Sequence, residues 1–446
     1  MRLPLIDTNP LINNNIIMVF PKMHRIRQTF DRTSVGDIRE TVWGELTKLD
    51  LRETVRPGDR VAITAGSRGI SHIALILKTI VEYLNALGAK PFLFPAMGSH
   101  GGATAEGQVA LLRHYQITEE VIGVPILSSM EVMEIGKTEG GFPVYFDKNA
   151  LQADHIIVVN RIKPHTKFKG PIESGLMKMM AIGMGKQKGA DLYHKAAIEH
   201  TFPKIIVDAA RVVLKKAPIL SGLGIVENGY DETAKVAGLI PEEIEAKEKD
   251  LLSLAKQMMP KLPFDEIDLL IVDEMGKDIS GIGMDPNVTG RNRDIIGAFP
   301  HPTHVKRLFV RDLTASSDGN AIGIGLADVT TKRLVEKIDR QATYMNCITA
   351  ISLEKGSIPI YFETDQEAIR VALGSIGLVQ PERSRVVRIR NTLQLDEVEV
   401  SEAYGDELLQ RSDLEMLEGP YPMGFDSQGN LLALRLHETR KQDLSD

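Results

Sequence analysis

Two histidines stand in loops that directly follow apolar, β-rich runs. His100 lies in GSHGG (98–102) after PFLFP, and His165 lies in KPHTKFKG (163–170) after HIIVVN. Imidazoles titrate near neutrality, so a pair delivered into a cleft suits proton transfer on two sides of one reacting atom. Taken singly, a loop histidine is as well explained by local packing or capping; two at strand ends point further toward chemistry. A third segment, GPIESGLMKMMAIGMGKQKGADLYHKA (170–196), sets four lysines and His194 among glycines, a composition suited to cradling phosphate. It is not a Walker A loop, because Lys186 is followed by Gln187 and the required upstream glycine is absent. Nor do GIGMDP (281–286) and GIGLAD (323–328) complete the dinucleotide fingerprint, which needs a third glycine.

The elements that must hold these residues read as strand–loop–helix units. RVAIT (60–64) runs into a Gly-Ser turn, and SHIALILKTIVEYLNALGA (71–89) follows with apolar residues at helical spacing. PFLFPAMGSHGG (91–102) then AEGQVALLRHY (105–115) repeat the order, as does HIIVVNRIKPHT (155–166). This rhythm predicts parallel βαβ units, with ligands beyond the C-terminal strand ends. FPKIIVDAARVVLKKAP (202–218) and EEIEAKEKDLLSLAKQMM (242–259) are predicted helices around two strands at 222–228 and 232–240. PKLPFDE (260–266) breaks the pattern with two prolines, and IDLLIVDEMG (267–276) opens a second α/β region. In that region 307–313 and 385–391 are predicted strands, and 330–350 and 365–373 helices. The predicted fold is therefore α/β in two lobes, each a mostly parallel sheet flanked by helices, with the active site in the cleft between them. Residues 1–262 form the first lobe and 265–420 the second, and 260–266 act as a hinge.

Composition narrows the function. The 446 residues carry 53 Lys and Arg against 60 Asp and Glu, a net charge of −7, which gives no general electrostatic reason to bind nucleic acid. Trp43 is the only tryptophan, so stacking platforms for single strands are not expected. Cys347 is the only cysteine, which excludes an internal disulfide or a multi-thiolate metal centre and is compatible with a cytoplasmic location. No apolar run reaches membrane-spanning length, and the Asn-rich start lacks the pattern of a signal peptide. His301 and His304, three apart around Pro302, are read as loop contacts rather than a metal pair.

RVAITAGSRGI, PAMGSHGGATAE and KPHTKFKGPIESGLMKMMAIGMGKQKGADLYHKA, in this order, resemble the lactate racemase family over roughly residues 60–200. The resemblance is carried by Gly98–Ser99–His100 with Thr104, by Pro164–His165, by Lys178, and by His194 sixteen residues after that lysine. It implies a 2-hydroxy acid racemase or epimerase that uses a nickel-pincer nucleotide, pyridinium-3-thioamide-5-thiocarboxylic acid mononucleotide with nickel. In its terms Lys178 tethers the cofactor, His194 ligates the nickel, and Ser67 and Gly175 also touch the cofactor. His100 and His165 are the paired acid/bases, while Arg68 and Lys277 bind the substrate carboxylate. It also implies that the tail, 421–446, packs on the first lobe. The implied partners are a small 2-hydroxy acid and the enzymes that make the cofactor.

The sequence departs from the family in three loops. The usual Asp of the first loop is missing from Ala65–Gly66–Ser67, the Arg after the first histidine is Gly101, and Gly-Gly-Arg before the tethering lysine is Gly175–Leu176–Met177. These changes favour a different, larger hydroxy acid than lactate and leave room for an untethered cofactor. A nicotinamide-dependent hydroxy-acid dehydrogenase and a non-catalytic nucleotide or metal binder are the alternatives.

Overall fold

In the computed structural model, which describes residues 18–295 and 299–434, the alternating pattern forms two α/β units. Residues 31–259, with residue 295, make one; residues 18–30, 260–294 and the described residues from 299 onward make the other.

The unit at 31–259 is built on a five-stranded sheet. Its order is Lys90–Pro95, Arg60–Ala65, His155–Arg161, Ile219–Glu227, Thr233–Leu239. The first four strands are parallel and the last is antiparallel to its neighbour. Strands covered on both faces must be apolar on both, which is why VAITA, PFLF and IIVV read as unbroken runs. Successive residues then serve opposite cores: Ile156 and Val158 pack with Phe94, Met180 and Ile206, whereas Ile157 and Val159 pack with Ile63, Ile76 and Ile80. The helix Ile73–Ala86 buries Ile73, Ile76, Leu77, Ile80 and Leu84, the stripe its sequence spacing predicts. Because three strands run in register and in one direction, the loops after Ala65, Pro95 and Arg161 emerge along one edge of the sheet.

The second unit carries an eight-stranded sheet in the order Ile360–Phe362, Val329–Thr331, His304–Val310, Glu266–Val272, Val386–Ile389, Glu397–Ser401, Lys22–Gln28, Leu414–Pro422. The first five strands are parallel and the last three add antiparallel. The expected boundaries are corrected here. Lys22–Gln28, placed by the sequence in the first lobe, lies between two strands of the second unit. Residues 414–434 also belong to the second unit, where the resemblance places 421 onward with the first lobe. The cause is complementarity across the ladder: Arg27 meets Glu397 and Glu415 at 2.9 Å each, and Met23 and Ile26 are buried. Beyond that strand, Gly429 accepts the Gln366 amide and Asp365 accepts the Leu431 amide, both at 2.9 Å. Residues 435–446 of the expected tail, and residues 1–17 of the expected first lobe, lie outside the described residues.

A second correction concerns 330–350, expected as one helix. It is a strand, Val329–Thr331, followed by the helices Lys332–Glu336 and Arg340–Thr349. Asp339 divides them by accepting the Ala342 amide at 2.9 Å, an N-cap that starts a new helix.

Asp365, wholly buried, holds Arg311 at 2.7 Å and Arg333 at 3.1 Å in addition to the Leu431 amide. Asp365→Ala removes an acceptor from both arginines, which keep Asp273 and Asp312 respectively, and leaves the Leu431 amide unsatisfied, and the expected loss is about 1–3 kcal/mol in urea denaturation of the full chain. A loss below about 1 kcal/mol, the scale of exposed pairs, would show that the cluster does not anchor the C-terminal segment.

Candidate active site

The three loops at the sheet edge carry the residues singled out from sequence. Gly66–Ser67–Arg68 follows Arg60–Ala65, Gly98–Ser99–His100 follows Lys90–Pro95, and Lys163–Pro164–His165 follows His155–Arg161. The first two meet directly, with Ser67 Oγ and His100 Nδ1 2.5 Å apart in a hydrogen bond. Behind the first loop, Glu227 pairs with Arg161 and accepts the Ser71 amide at 2.6 Å, which fastens the loop's far end. Gly66 faces Met179: a Cβ there would sit 3.2 Å from the Met179 methyl, so the first loop rests on the segment that carries Lys178.

That segment is unusual helix. Leu176–Lys178 forms one α turn, Met179–Gly183 continues with π-type bonds, and Lys186–Ala196 then carries His194. Its first turn is gripped from two sides. Asn160 donates to the Gly175 carbonyl at 2.9 Å, and the wholly buried Glu248 accepts the Met177 amide at 2.9 Å. A Cβ on Gly175 would lie 2.3 Å from the Glu248 carboxylate, so this position requires glycine. Gly175 thus has a structural reason to be there, independent of any cofactor. Burial pushes the Glu248 carboxyl up to about 7, against the pull of the Met177 and Leu176 amides.

Lys178, half-buried, has its ammonium lowered to about 7 by desolvation, then by the charges of Arg68 and Lys163. His165 is held well below the ordinary imidazole value, first by its enclosure in protein and then by Lys178, Lys163, Lys167 and His194. These mutual effects, with the Lys167 ammonium 5.6 Å from the Phe202 ring centroid, link Arg68, Lys163, His165, Lys167, Lys178 and His194 in one cationic cluster. Arg68 keeps much of its side chain in solvent; desolvation at the guanidinium and the nearby Arg161 lower its pKa without neutralising it. His165 Nδ1 accepts the Lys167 amide at 3.0 Å, which leaves the ring proton of the neutral imidazole on Nε2. Its ring stacks on Phe168 at 4.2 Å, Phe168 stacks on Phe202 at 5.3 Å, and His194 meets Phe202 edge-on at 5.1 Å. The two histidines are thereby braced by one aromatic ladder. Glu173, also wholly buried, accepts the His165 amide at 2.7 Å and pairs with Lys256 at 2.6 Å, which fixes the turn behind His165.

Sequence reasoning named Ser67, Arg68, His100, His165, Gly175, Lys178 and His194, and these lie on the connected loops and helix just described. Lys277 lies in the other unit, where its ammonium donates to the Gly281 carbonyl at 2.7 Å and to Asn346 at 2.9 Å. His301 also lies there, in the loop contacts expected of it, 2.8 Å from the Asn287 carbonyl and accepting the Thr303 amide. Lys163, Lys167, Phe168, Glu173, Phe202 and Glu248 were missed. Glu248 had a signal: it interrupts the apolar stripe Ile244, Leu251, Leu252, Ala255 on one helix face, where an acid is out of place. Gly101 replaces a family arginine for a local reason. Its φ is +65°, and a Cβ would come within 2.6 Å of the Gln108 amide.

Residues 24–203 match the family model described as the lactate racemase N-terminal domain. The match begins in the strand Lys22–Gln28, ends in the helix Phe202–Lys216, and takes in every residue of the cationic cluster. Among solved structures, the chain is similar to a Thermotoga maritima protein at 14% identity, covering 77% of this chain and 92% of that one, with a TM-score of 0.49. It is also similar to the lactate racemase apoprotein of Thermoanaerobacterium thermosaccharolyticum at 14% identity, 81% and 92% coverage and a TM-score of 0.48. No curated protein matches.

The residues of this lactate racemase-type domain fit a tethered anionic nucleotide. A lysine lowered to about 7 is a competent nucleophile at neutral pH, and the cations beside it suit phosphate or carboxylate. Among the described residues no three His, Cys, Asp or Glu side chains converge as a metal site, so a metal at His194 would take its other ligands from a bound molecule.

Two outcomes follow from these environments. Acylation of Lys178 by a small amine reagent, read by peptide mass spectrometry, should rise with a midpoint near pH 7; a midpoint above about 9.5, near an ordinary lysine, would contradict its setting. Between about pH 4.5 and 7 the folded chain retains on Glu248 a proton that the unfolded chain has released. This group therefore lowers stability by about 3 kcal/mol as pH rises through that window. Glu248→Gln should flatten that part of the stability profile, and an unchanged slope would refute it.

Proposed function

We propose that this chain is an isomerase that racemises or epimerises a 2-hydroxy acid with a nickel-pincer nucleotide. One observation carries the reading: an amine lowered to about 7, Lys178, shares a cationic cluster with His165 and His194 inside a lactate racemase-type domain.

In this reading Lys178 tethers the cofactor through its amine, His194 supplies the protein's ligand to nickel, and Ser67 and Gly175 border the nucleotide. The bound cofactor supplies an acceptor and donor of hydride. Arg68 grips the substrate carboxylate; its planar guanidinium can do so with two parallel hydrogen bonds. His100 and His165 manage the hydroxyl proton on opposite faces of the reacting carbon. Their states suit opposite starting roles. His165 presents an Nε2–H that can hydrogen-bond the substrate oxygen; to deliver a proton it first takes one up at Nδ1, releasing the Lys167 amide and becoming the imidazolium. His100 shares a hydrogen bond between Nδ1 and Ser67 Oγ, and in the tautomer with its proton on Nδ1 the Nε2 lone pair starts as the base. His100, neutral, takes the hydroxyl proton as the substrate becomes a planar 2-keto acid, and His165, as the imidazolium, returns a proton to the oxygen when the carbon is rebuilt with inverted configuration, so the two histidines exchange protonation states in each turnover. A positioned acid or base of this kind contributes about 10²–10⁴-fold in rate. Gly101, in place of an arginine, leaves the His100 loop without one family cation, and this supports a substrate other than lactate.

The deciding experiment is production alongside the cofactor-synthesis enzymes, followed by intact mass, nickel analysis and a screen of 2-hydroxy acids for loss of optical activity. Lys178→Ala should abolish the mass increase, and an unchanged adduct would exclude it as the tether. His194→Ala should lose nickel, and full occupancy in that variant would remove its ligand role. His100→Ala and His165→Ala should each lower turnover by at least about 10²-fold; normal turnover in both would end the two-base scheme.

A further inference from the structure

Lys186 is wholly buried, lies outside the cationic cluster, and has no part in the mechanism above. Its ammonium reaches three partners from three parts of the chain. It donates to the Pro95 carbonyl at the end of Lys90–Pro95, to Gln108 Oε1 at 3.3 Å, and to Asp147 at 3.0 Å. Asp147, also wholly buried, closes the strand Pro143–Asp147 and caps the next turn by accepting the Ala150 amide at 2.9 Å. Gln108 completes the chain. With its oxygen turned to the ammonium, its NH₂ must face the other way. There it donates to the Gly98 carbonyl at 3.1 Å and the His100 carbonyl at 3.3 Å. The same residue begins the helix Lys186–Ala196, which carries His194, and does so at φ +52°, a left-handed conformation that a lysine holds only when its surroundings fix it.

We propose that Lys186 is a positioning residue that locks the His100 loop and the His194 helix into one fixed relation, through Gln108 on one side and its own backbone on the other. Its functional meaning rests on the isomerase reading; its geometry does not. Stability alone is a poor account of the pair. Burial lowers the Lys186 pKa and raises that of Asp147, so the protein resists both charges, and two apolar side chains of similar volume would pack as well or better. Only a cation with several N–H donors can orient Gln108, hold the Pro95 carbonyl and meet Asp147 at once.

The test uses full-length, cofactor-free protein with ¹³C-labelled histidine, the His100 signal being assigned by its loss in His100→Gln. Two variants separate the branches. Gln108→Met leaves the ion pair intact and cuts only the link to the His100 loop. Lys186→Met/Asp147→Leu removes both buried charges together, so that neither is stranded. In both, the titration midpoint of His100 should move by about half a pH unit or more, because its carbonyl and its Ser67 contact are no longer held. The His194 signal should shift in the double variant and stay in place in Gln108→Met. Unchanged His100 midpoints in variants that melt cooperatively would overturn the proposal; so would a His194 signal that moves equally in both. Should the double variant fail to fold, Gln108→Met alone still decides the His100 branch. A shifted His100 in a chain that never isomerises a hydroxy acid would sink the function and leave the positioning role standing. An unmoved His100 in an active enzyme would do the reverse.

Discussion

Like charges gathered in a partly desolvated cluster repel one another, and the 31–259 unit is organised around tolerating that repulsion. Arg68, Lys163, Lys167 and Lys178 crowd the edge of the five-stranded sheet, and their mutual effect is legible in Lys178 and His165, both pushed toward their neutral forms. The acids nearby are committed elsewhere: Glu227 to Arg161 and the Ser71 amide, Glu173 to Lys256 and the His165 amide, Glu248 to the turn that starts at Leu176. They hold the loops in place from behind. An anion entering the cluster would meet cations whose mutual repulsion it relieves, so the cost carried by the fold becomes affinity for a negatively charged ligand.

Rigid supports make such a site possible. The three loops leave adjacent parallel strands, so their starting points are fixed to within the spacing of a hydrogen-bonded ladder. The π-type stretch Met179–Gly183 lies between Lys178 and the helix that bears His194, and π-helical turns are frequent at functional sites. The aromatic ladder from His165 through Phe168 and Phe202 to His194 adds a second connection that bypasses the backbone. Small shifts in one loop are therefore felt by the others through packed contacts rather than through flexible chain.

The other unit follows the same physics with a different emphasis. Its parallel core strands are extended by three antiparallel ones, and its charged residues are spent on internal pairs such as Arg311 with Asp273 and Asp365, and Arg388 with Asp273 and Glu399. Lys277, assigned to the substrate by resemblance, is held by the Gly281 carbonyl and Asn346 in the same manner.

The sequence by itself determined the α/β class, most strands and helices, and the three loops that carry Arg68, His100 and His165. Apolar periodicity and glycine placement are local signals, and they survive folding because each element buries its own stripe. Lys178 and His194 were reached through the resemblance of one continuous segment to a family motif, again a local feature. Only the tertiary structure decided that Lys22–Gln28 and the segment after Leu414 join the second unit, that 330–350 breaks at Asp339, and that Glu173, Glu248, Gln108 and Lys186 stand behind the site. Those outcomes depend on partners tens to hundreds of residues away. Strand pairing leaves no mark in the pairing strand's own pattern, and a buried charge is read as a surface charge until the group that satisfies it is seen beside it.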